Sequence, residues 1–468
     1  MKNKTFLKNI SYSFSANLVS FAISAILVLV APKFLGLQDY GMWQLFLFYI
    51  SFAGCCHFGW IDGIYLRYAG YSFERLSARV FSGQYLGIIC LEIIIGALIY
   101  FCAVLFVKDP VHSYILRLSS VFPLLYNFNL LCNFALQITN RIKNYAILVL
   151  VEKIVFFIGF LLLIAFGFHY FIGFYFIKIL SLLAACATGV LMCKRLFTLS
   201  LPTFQNFFNE ARENIWVGIK LLIANTSSVL VIGIIRYGIS VGWDVITFGK
   251  VSLTLSISNF LMIFINSVSI VLFPMLKTIS QKRLAPLYFQ IRDVISFLLF
   301  SMLIFYYPMR LILGIWLPQY EDYLKYMVIL FPVCVFESKV GLLVNTYLKD
   351  LRQEALMLKI NIYAVLLSAV WTIISTVIVH NLDLAVLGIV VACAFRCIVS
   401  EHYIQKLLQI KLMKKICIDI ILVLTFMISG YLFESFICTA IYTLTYAAIL
   451  FWQRKSIFMN IMRLKNGG

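Results

Sequence analysis

The sequence predicts an all-α polytopic membrane protein with about 14 transmembrane helices, arranged as two pseudo-symmetric six-helix lobes and a C-terminal helix pair. Three observations predict this class. Of the 468 residues, 63% are hydrophobic and 12% are charged, about half the charged share of soluble domains. Apolar runs of 18 or more residues recur along the chain, and each is long enough to cross a bilayer as a helix. The third observation is an internal repeat.

The repeat emerges when the chain is shifted by 209 residues. Val121-Phe122-Pro123-Leu124 then falls on Leu330-Phe331-Pro332-Val333, and Lys143 falls on Arg352 without a gap. Each copy runs from an apolar stretch through a short basic loop into another apolar stretch. A constant offset predicts two membrane-embedded lobes of the same orientation, related by an axis along the membrane normal, with a transport site between them.

The individual helices follow from the apolar runs, each bounded by charged residues or by glycine and proline. The last pair is short, with Glu434 near its turn. In chain order the predicted helices are 10–32, 42–66, 82–107, 114–138, 145–167, 170–193, 215–238, 246–274, 294–317, 323–347, 357–379, 384–405, 416–433 and 436–452.

The distribution of positive charge supports an even number of spans with both termini in the cytoplasm. When the N-terminus is placed in the cytoplasm, 27 of the 38 Lys and Arg residues fall in cytoplasmic segments and seven in external ones. This asymmetry is the positive-inside rule. The net charge of +19 is therefore expected to face anionic lipid headgroups rather than nucleic acid.

Four segments are predicted along the chain: an N-terminal lobe over 1–193, a cytoplasmic linker over 194–214, a C-terminal lobe over 215–410, and a helix pair with a basic tail over 411–468. In the linker, Phe204, Phe207, Phe208 and Ala211 recur at helical spacing. This pattern favours an amphipathic helix in the membrane interface. The alternative is a plain linker with scattered aromatic residues.

Signatures of catalysis are missing from the sequence. There is no GxxxxGK[ST] phosphate loop, no HExxH motif and no catalytic serine elbow. The twelve cysteines lie mostly within apolar runs without paired CxxC motifs, and the five histidines have no metal-ligand spacing. We therefore expect no catalytic residues, no metal, no cofactor and no enzymatic activity.

Charged residues at membrane depth are the candidates for function, because each costs at least ~2.5–3.5 kcal/mol at the bilayer centre unless it faces a partner or a cavity. The basic ones exceed the acidic ones, which favours a cavity for an anion such as a diphosphate. The candidate substrate-binding cations are Lys153, Lys178, Arg236 and Arg67, with Arg117 and Lys339 as second choices. The carboxylates Glu92, Asp62 and Glu337 are candidates for coupling transport to a proton or sodium gradient.

Internal ion pairing is the alternative for each of these residues. Lys178 could pair with Glu92, and Glu337 with Arg396. Lys153 could pair with a carboxylate other than Glu152, its neighbour in the sequence, which points elsewhere on the helix.

Four stretches resemble the Wzx-type O-antigen and capsule flippases of the multidrug/oligosaccharidyl-lipid/polysaccharide (MOP) exporter superfamily. Pro32 to Trp43 is similar to that family's leucine-glycine, acidic, aromatic-glycine turn, and Phe58 to Tyr68 to the end of its second helix. Val271 to Leu276 resembles its phenylalanine-proline helix exit, and Leu313 to Arg352 its ninth to eleventh helices. The resemblance covers about 1–410.

The resemblance implies a bacterial inner-membrane flippase for polyprenyl-diphosphate-linked oligosaccharide units, working by rocker-switch alternating access. The polyprenyl tail would stay in lipid and pass between helices 1 and 8. Membrane lipids, a polysaccharide polymerase and a chain-length regulator are the expected partners, and nucleic acid is not. The alternatives are a multidrug/cation antiporter of the same superfamily, which would need an acidic and aromatic pocket, and a non-transporting scaffold of polysaccharide assembly.

Overall fold

A computed structural model describes residues 2–198, 202–259, 281–433 and 436–465. The chain forms two compact units, Met1–Thr226 and Ser227–Gly468. The described residues fold as helices joined by short turns, which confirms the predicted class of an all-α polytopic membrane protein.

The first unit is built from α-helices that differ widely in length. In chain order they are α1 (Lys2–Phe34), α2 (Leu37–Ile50), α3 (Trp60–Arg67), α4 (Ala78–Phe106), α5 (Pro110–Ser119), α6 (Phe122–Ile138), α7 (Ile142–Ala165), α8 (Phe171–Cys193) and α9 (Phe204–Gly242), which continues into the second unit. Helix α7 packs against α1 and α8, and α6 packs against α4 and α8. This packing places the polar residues of α6, α7 and α8 next to one another.

Helices α2 and α3 are together long and apolar enough to cross a membrane and are bent by 54° at the break between them, where the sequence predicts a single helix over 42–66. At the bend Phe58 has φ 48° and Gly59 has φ 83°, left-handed values that interrupt an α-helix and that glycine adopts without strain. The Asn127 side-chain amide of α6 donates to the backbone oxygen of Ala53 at 2.9 Å. A neighbouring helix thus donates to one backbone oxygen close to the break.

Helix α9 is one continuous helix of 39 residues. It includes the aromatic linker residues from Phe204 onward and the predicted span 215–238, which the sequence treats as separate elements. At 1.5 Å per residue such a helix is about 58 Å long, nearly twice the thickness of a hydrocarbon core of ~30 Å. The helix is therefore longer than a membrane span requires.

The second unit contains, in chain order, α10 (245–259), α11 (Gln281–Met302), α12 (Tyr306–Trp316), α13 (Glu321–Leu324), α14 (Tyr326–Leu330), α15 (Val333–Ser338), α16 (Asn345–Asp350), α17 (Glu354–Thr372), α18 (Leu382–Leu408), α19 (Met413–Leu432) and α20 (Phe436–Lys465). A π-helical turn, Lys339–Val344, joins α15 to α16. The span Tyr326–Asp350 is central to this unit, because 89% of its most apolar window is buried. It contacts α18 and α19.

Eleven helical segments in the described residues are long and apolar enough to cross a membrane, and the number is twelve when the bent α2–α3 pair is counted as one span. They correspond to predicted helices 1–7 and 9–13. The predicted fourteenth helix coincides with the shorter apolar segment Phe436–Trp452. Part of the predicted eighth helix, 246–274, lies outside the described residues, as does the Phe273-Pro274 helix exit.

Candidate functional site

The first unit holds a polar cluster where α6, α7 and α8 meet. The Lys178 ammonium on α8 lies 2.6 Å from Oε1 of Glu152 on α7. The Asn129 amide on α6 donates to the other Glu152 oxygen at 3.4 Å. Both charged side chains are mostly buried, with exposed fractions of 17% and 19%. The partner of Lys178 is therefore Glu152, not the Glu92 considered from the sequence.

Lys153 follows Glu152 on α7 and is half-buried. The charges of Lys178 and Glu152 both act on its ammonium. Among the described side chains no carboxylate lies within ion-pair distance of Lys153 and no acceptor bonds to it. The cluster therefore combines two ammonium groups with one carboxylate.

Glu92 on α4 is fully buried and belongs to a separate set of contacts. Its Oε1 accepts a 2.7 Å hydrogen bond from the Asn127 amide, the same amide that bonds to Ala53 at the α2–α3 break. Its Oε2 has no hydrogen-bond partner in the described part of the chain. One carboxyl oxygen of Glu92 thus accepts a hydrogen bond, and the other accepts none from the described residues. The group lies next to the bend between α2 and α3.

Asp62 lies at the same bend, at the start of α3. Its carboxylate is 3.9 Å from Nε2 of His57, and both side chains are buried. The His57 Nδ1 accepts a 3.1 Å hydrogen bond from the Gly59 backbone. The imidazole therefore links the carboxylate of α3 to the backbone of the break.

Two of the candidate cations in the first unit have partners near the ends of helices. Arg67 binds the carboxylates of Glu210, at 2.8 Å, and Glu213, and it donates to the Asn214 side chain at 2.6 Å. Arg117 on α5 donates to the backbone oxygen of Ser113 at 3.3 Å. Arg67 therefore ties α3 to the first turns of α9, which is a structural role independent of any ligand.

The second unit contains a buried quartet of charges that the sequence analysis missed. Arg292 on α11 binds Glu401 of α18 through two 2.8 Å bonds and Asp419 of α19 at 2.6 Å. Lys339, the first residue of the π-helical turn, pairs with the same Asp419. At the edge of the quartet Lys415 pairs with Asp293. The two positive and two negative charges of the quartet balance.

The remaining candidates of the second unit also have partners. Glu337 pairs with Arg396, which donates to the Ser228 hydroxyl at 2.7 Å. Arg236 donates to the Ser252 hydroxyl at 3.0 Å and lies over the ring of Phe248. In the described part of this unit, the predicted cations Lys339 and Arg236 thus have contacts within the protein, as does Glu337.

Arg292 precedes the predicted helix 294–317 and therefore falls in a predicted cytoplasmic segment, whereas in the structure it lies within α11. Glu401 and Asp419 lie within predicted helices 12 and 13. A carboxylate inside a membrane span needs a partner, so their positions in the sequence indicate buried ion pairs. Which cation they bind depends on the packing of α11, α18 and α19, which the sequence does not reveal.

The fold matches that of known MOP superfamily transporters. A multidrug resistance MATE family transporter in an inward-facing conformation aligns over 84% of this chain and 98% of its own, with 12% identity and a TM-score of 0.65. A MATE structure in the straight conformation aligns over 87% of this chain and 96% of its own, with 13% identity and a TM-score of 0.57.

A third structure, a MOP superfamily transporter from Pyrococcus furiosus described as having a binding pocket of reverse polarity, covers 86% of this chain and 96% of its own at 13% identity and a TM-score of 0.51. Neither a protein-family model nor a curated protein sequence matches. At these identities the likeness shows the fold.

Proposed function

We propose that this chain is a flippase that moves polyprenyl-diphosphate-linked oligosaccharide units, of O-antigen or capsular type, across the bacterial cytoplasmic membrane by alternating access. The fold, shared with MOP superfamily transporters, supports transport rather than catalysis. Polysaccharide polymerase and chain-length regulator proteins are the proposed partners, and both termini are proposed to be cytoplasmic.

The Lys153–Glu152–Lys178 cluster carries the proposal. An ammonium group at membrane depth costs at least ~2.5–3.5 kcal/mol unless it is compensated, and the carboxylate of Glu152 is bonded to Lys178. A diphosphate supplies the missing negative charge through charge-assisted hydrogen bonds. Lys153 is therefore the proposed contact to the diphosphate, and Lys178 is proposed to hold Glu152 away from it.

A multidrug/cation antiporter is the second candidate, and the names of the structural neighbours favour it. Such a transporter needs acidic groups facing its cargo. The buried Glu92, with one open oxygen, and Asp62 are the residues that would serve this function. The two candidates thus depend on different residues of the same unit.

The test measures polysaccharide export in a deletion strain. The strain is complemented with the wild-type protein, with Lys153→Gln or with the matched control Lys143→Gln. Lys143 lies on the same helix and is exposed. Loss of one charge-assisted bond, worth ~1.5–3 kcal/mol, should lower polysaccharide export at least about tenfold at equal protein level. The control should export like the wild type.

Three results separate the alternatives. Lipid-linked units that accumulate on the cytoplasmic side of the deletion strain support the flippase over a scaffold. Altered sensitivity to cationic drugs with normal polysaccharide would favour the antiporter. Wild-type export by Lys153→Gln would remove the anion-binding role from the cluster.

A further inference from the structure

The first unit has an apolar groove between α4 and the start of α9. Its volume is about 840 Å³, within the range of sites that bind drug-sized ligands. One wall consists of Leu86, Cys90 and Ile94 of α4, and the other of Phe207 and Ile215 of α9. Among the fifteen described residues that line it, Arg212 is the one charged residue.

Helix α4 closely approaches the segment around the start of α9, because two of its glycines face the rings of Pro202 and Phe207. A Cβ at Gly83 would lie 2.7 Å from the Pro202 ring, and one at Gly87 would lie 2.6 Å from the Phe207 ring. The base of the groove is therefore closed by tight packing. Its outer side is open, since Leu86 and Ile94 are 46% and 59% exposed.

A second cavity of about 750 Å³ adjoins the first and shares Arg212 and Trp216 with it. The second cavity is polar, and Arg67 and Glu213 also line it. Arg67 is bound by Glu210 and Glu213, whereas Arg212 is exposed and has no carboxylate within ion-pair distance among the described residues. An available positive charge thus stands at the junction of an apolar and a polar cavity.

We propose that this groove binds one anionic phospholipid of the surrounding membrane, with an acyl chain along α4 and the phosphate at Arg212. The groove follows α4 from Gly83 to Ile94, which is about 17 Å at 1.5 Å per residue. That length matches one leaflet of a ~30 Å hydrocarbon core. It suits an acyl chain better than a polyprenyl tail.

Two exposed aromatic residues of α9 also line the groove. Phe204 and Trp216 are 78% and 75% exposed, and aromatic rings of this kind are enriched at the membrane–water interface. The bound lipid would join α4 to the first turns of α9. The inference concerns a lipid of the bilayer and is independent of the transported cargo.

The test is native mass spectrometry of the full chain in detergent with added phosphatidylglycerol or phosphatidylcholine. The wild type should retain one phosphatidylglycerol in preference to phosphatidylcholine. Arg212→Ala should weaken that retention about fivefold, the factor expected for one basic residue near a membrane surface. Lys220→Ala is the matched control, because Lys220 is exposed on the same helix and lines neither cavity.

A second measurement needs no variant. Cys90 lines the groove, while Cys102 is exposed farther along the same helix. Bound phosphatidylglycerol should slow the reaction of Cys90 with a membrane-permeant thiol reagent severalfold and leave the rate at Cys102 unchanged.

Three outcomes would overturn the proposal. The first is equal retention of the two lipids by the wild type, and the second is equal behaviour of Arg212→Ala and Lys220→Ala. The third is displacement of phosphatidylglycerol by a lower concentration of a polyprenyl phosphate, which would assign the groove to the tail of a lipid-linked cargo instead.

Discussion

The Lys178 ammonium lies 2.6 Å from the Glu152 carboxylate, across the contact between α8 and α7. The next residue on α7, Lys153, has no corresponding partner in the described chain. The two lysines of this cluster therefore differ in whether they form an ion pair. Lys178 has an ion-pair partner within the protein, whereas Lys153 is the proposed contact to a ligand.

Replacing Lys178 by glutamine should destabilise the first unit, because it removes the ion-pair partner of the mostly buried Glu152 carboxylate. Removing one partner of a fully buried pair costs ~3–5 kcal/mol. Since this pair is 17–19% exposed, we expect ~2 kcal/mol. A thermal unfolding series in detergent measures the effect.

The double variant Glu152→Gln/Lys178→Gln is the control for this prediction. It removes both charges and should recover most of the lost stability, because a neutral pair has no uncompensated carboxylate. A double variant as unstable as Lys178→Gln would show that the pair is not the source of the loss.

The buried quartet predicts an order of stabilities among three Lys or Arg to Met variants. Arg292 binds two carboxylates, so Arg292→Met should cost the most, ~3–5 kcal/mol. Lys339→Met should cost less, since Asp419 keeps its bond to Arg292. Lys415→Met should cost the least, because the Lys415 side chain is 20% exposed.

Unfolding temperatures of the three variants, at matched expression, check this order. If Lys339→Met destabilises more than Arg292→Met, the π-helical turn that begins at Lys339 depends on this ammonium more than the hydrogen bonds indicate.

The hydropathy of the sequence is sufficient to predict the fold class and the positions of most helices. The predicted helix 145–167 corresponds to Ile142–Ala165, and 384–405 to Leu382–Leu408. Helix length follows from the thickness of the apolar core, so a run of apolar residues is a direct signal. The confirmed class rests on that relation.

The interruptions of the helices were not predictable in the same way. Near the break between α2 and α3, the backbone oxygen of Ala53 accepts a hydrogen bond from Asn127, a residue of another helix. The pairing of Lys178 with Glu152 depends on which faces of α7 and α8 meet. By contrast, Glu337 and Arg396 form the pair that the sequence analysis named as the structural alternative.

Glu92→Gln should abolish transport driven by a proton gradient without lowering the protein level, if the proposed transport function holds. The glutamine is isosteric, and its oxygen can keep the 2.7 Å bond from Asn127. It cannot exchange a proton at the position of the open Oε2. Uptake in energised vesicles measures the effect.

Glu74→Gln is the control for Glu92→Gln, since Glu74 is an exposed carboxylate of the same unit, and it should transport like the wild type. Unchanged gradient-driven uptake by Glu92→Gln would exclude a coupling role for Glu92 and leave it a structural partner of Asn127.

Gly218→Ala should separate α3 from α9, because the two backbones touch at this point. A Cβ at Gly218 would lie 1.9 Å from the backbone oxygen of Gly59 and 2.3 Å from the amide nitrogen of Gly63. Neither atom belongs to a movable side chain, so we expect a loss at the upper end of the ~1–3 kcal/mol typical of overpacking. Gly314→Ala is the control, because no other part of the described chain lies within 4 Å of its added methyl group. Helix propensity makes this substitution neutral or stabilising by up to ~1 kcal/mol. Equal unfolding temperatures for the two variants would show that α3 and α9 can shift apart at no cost.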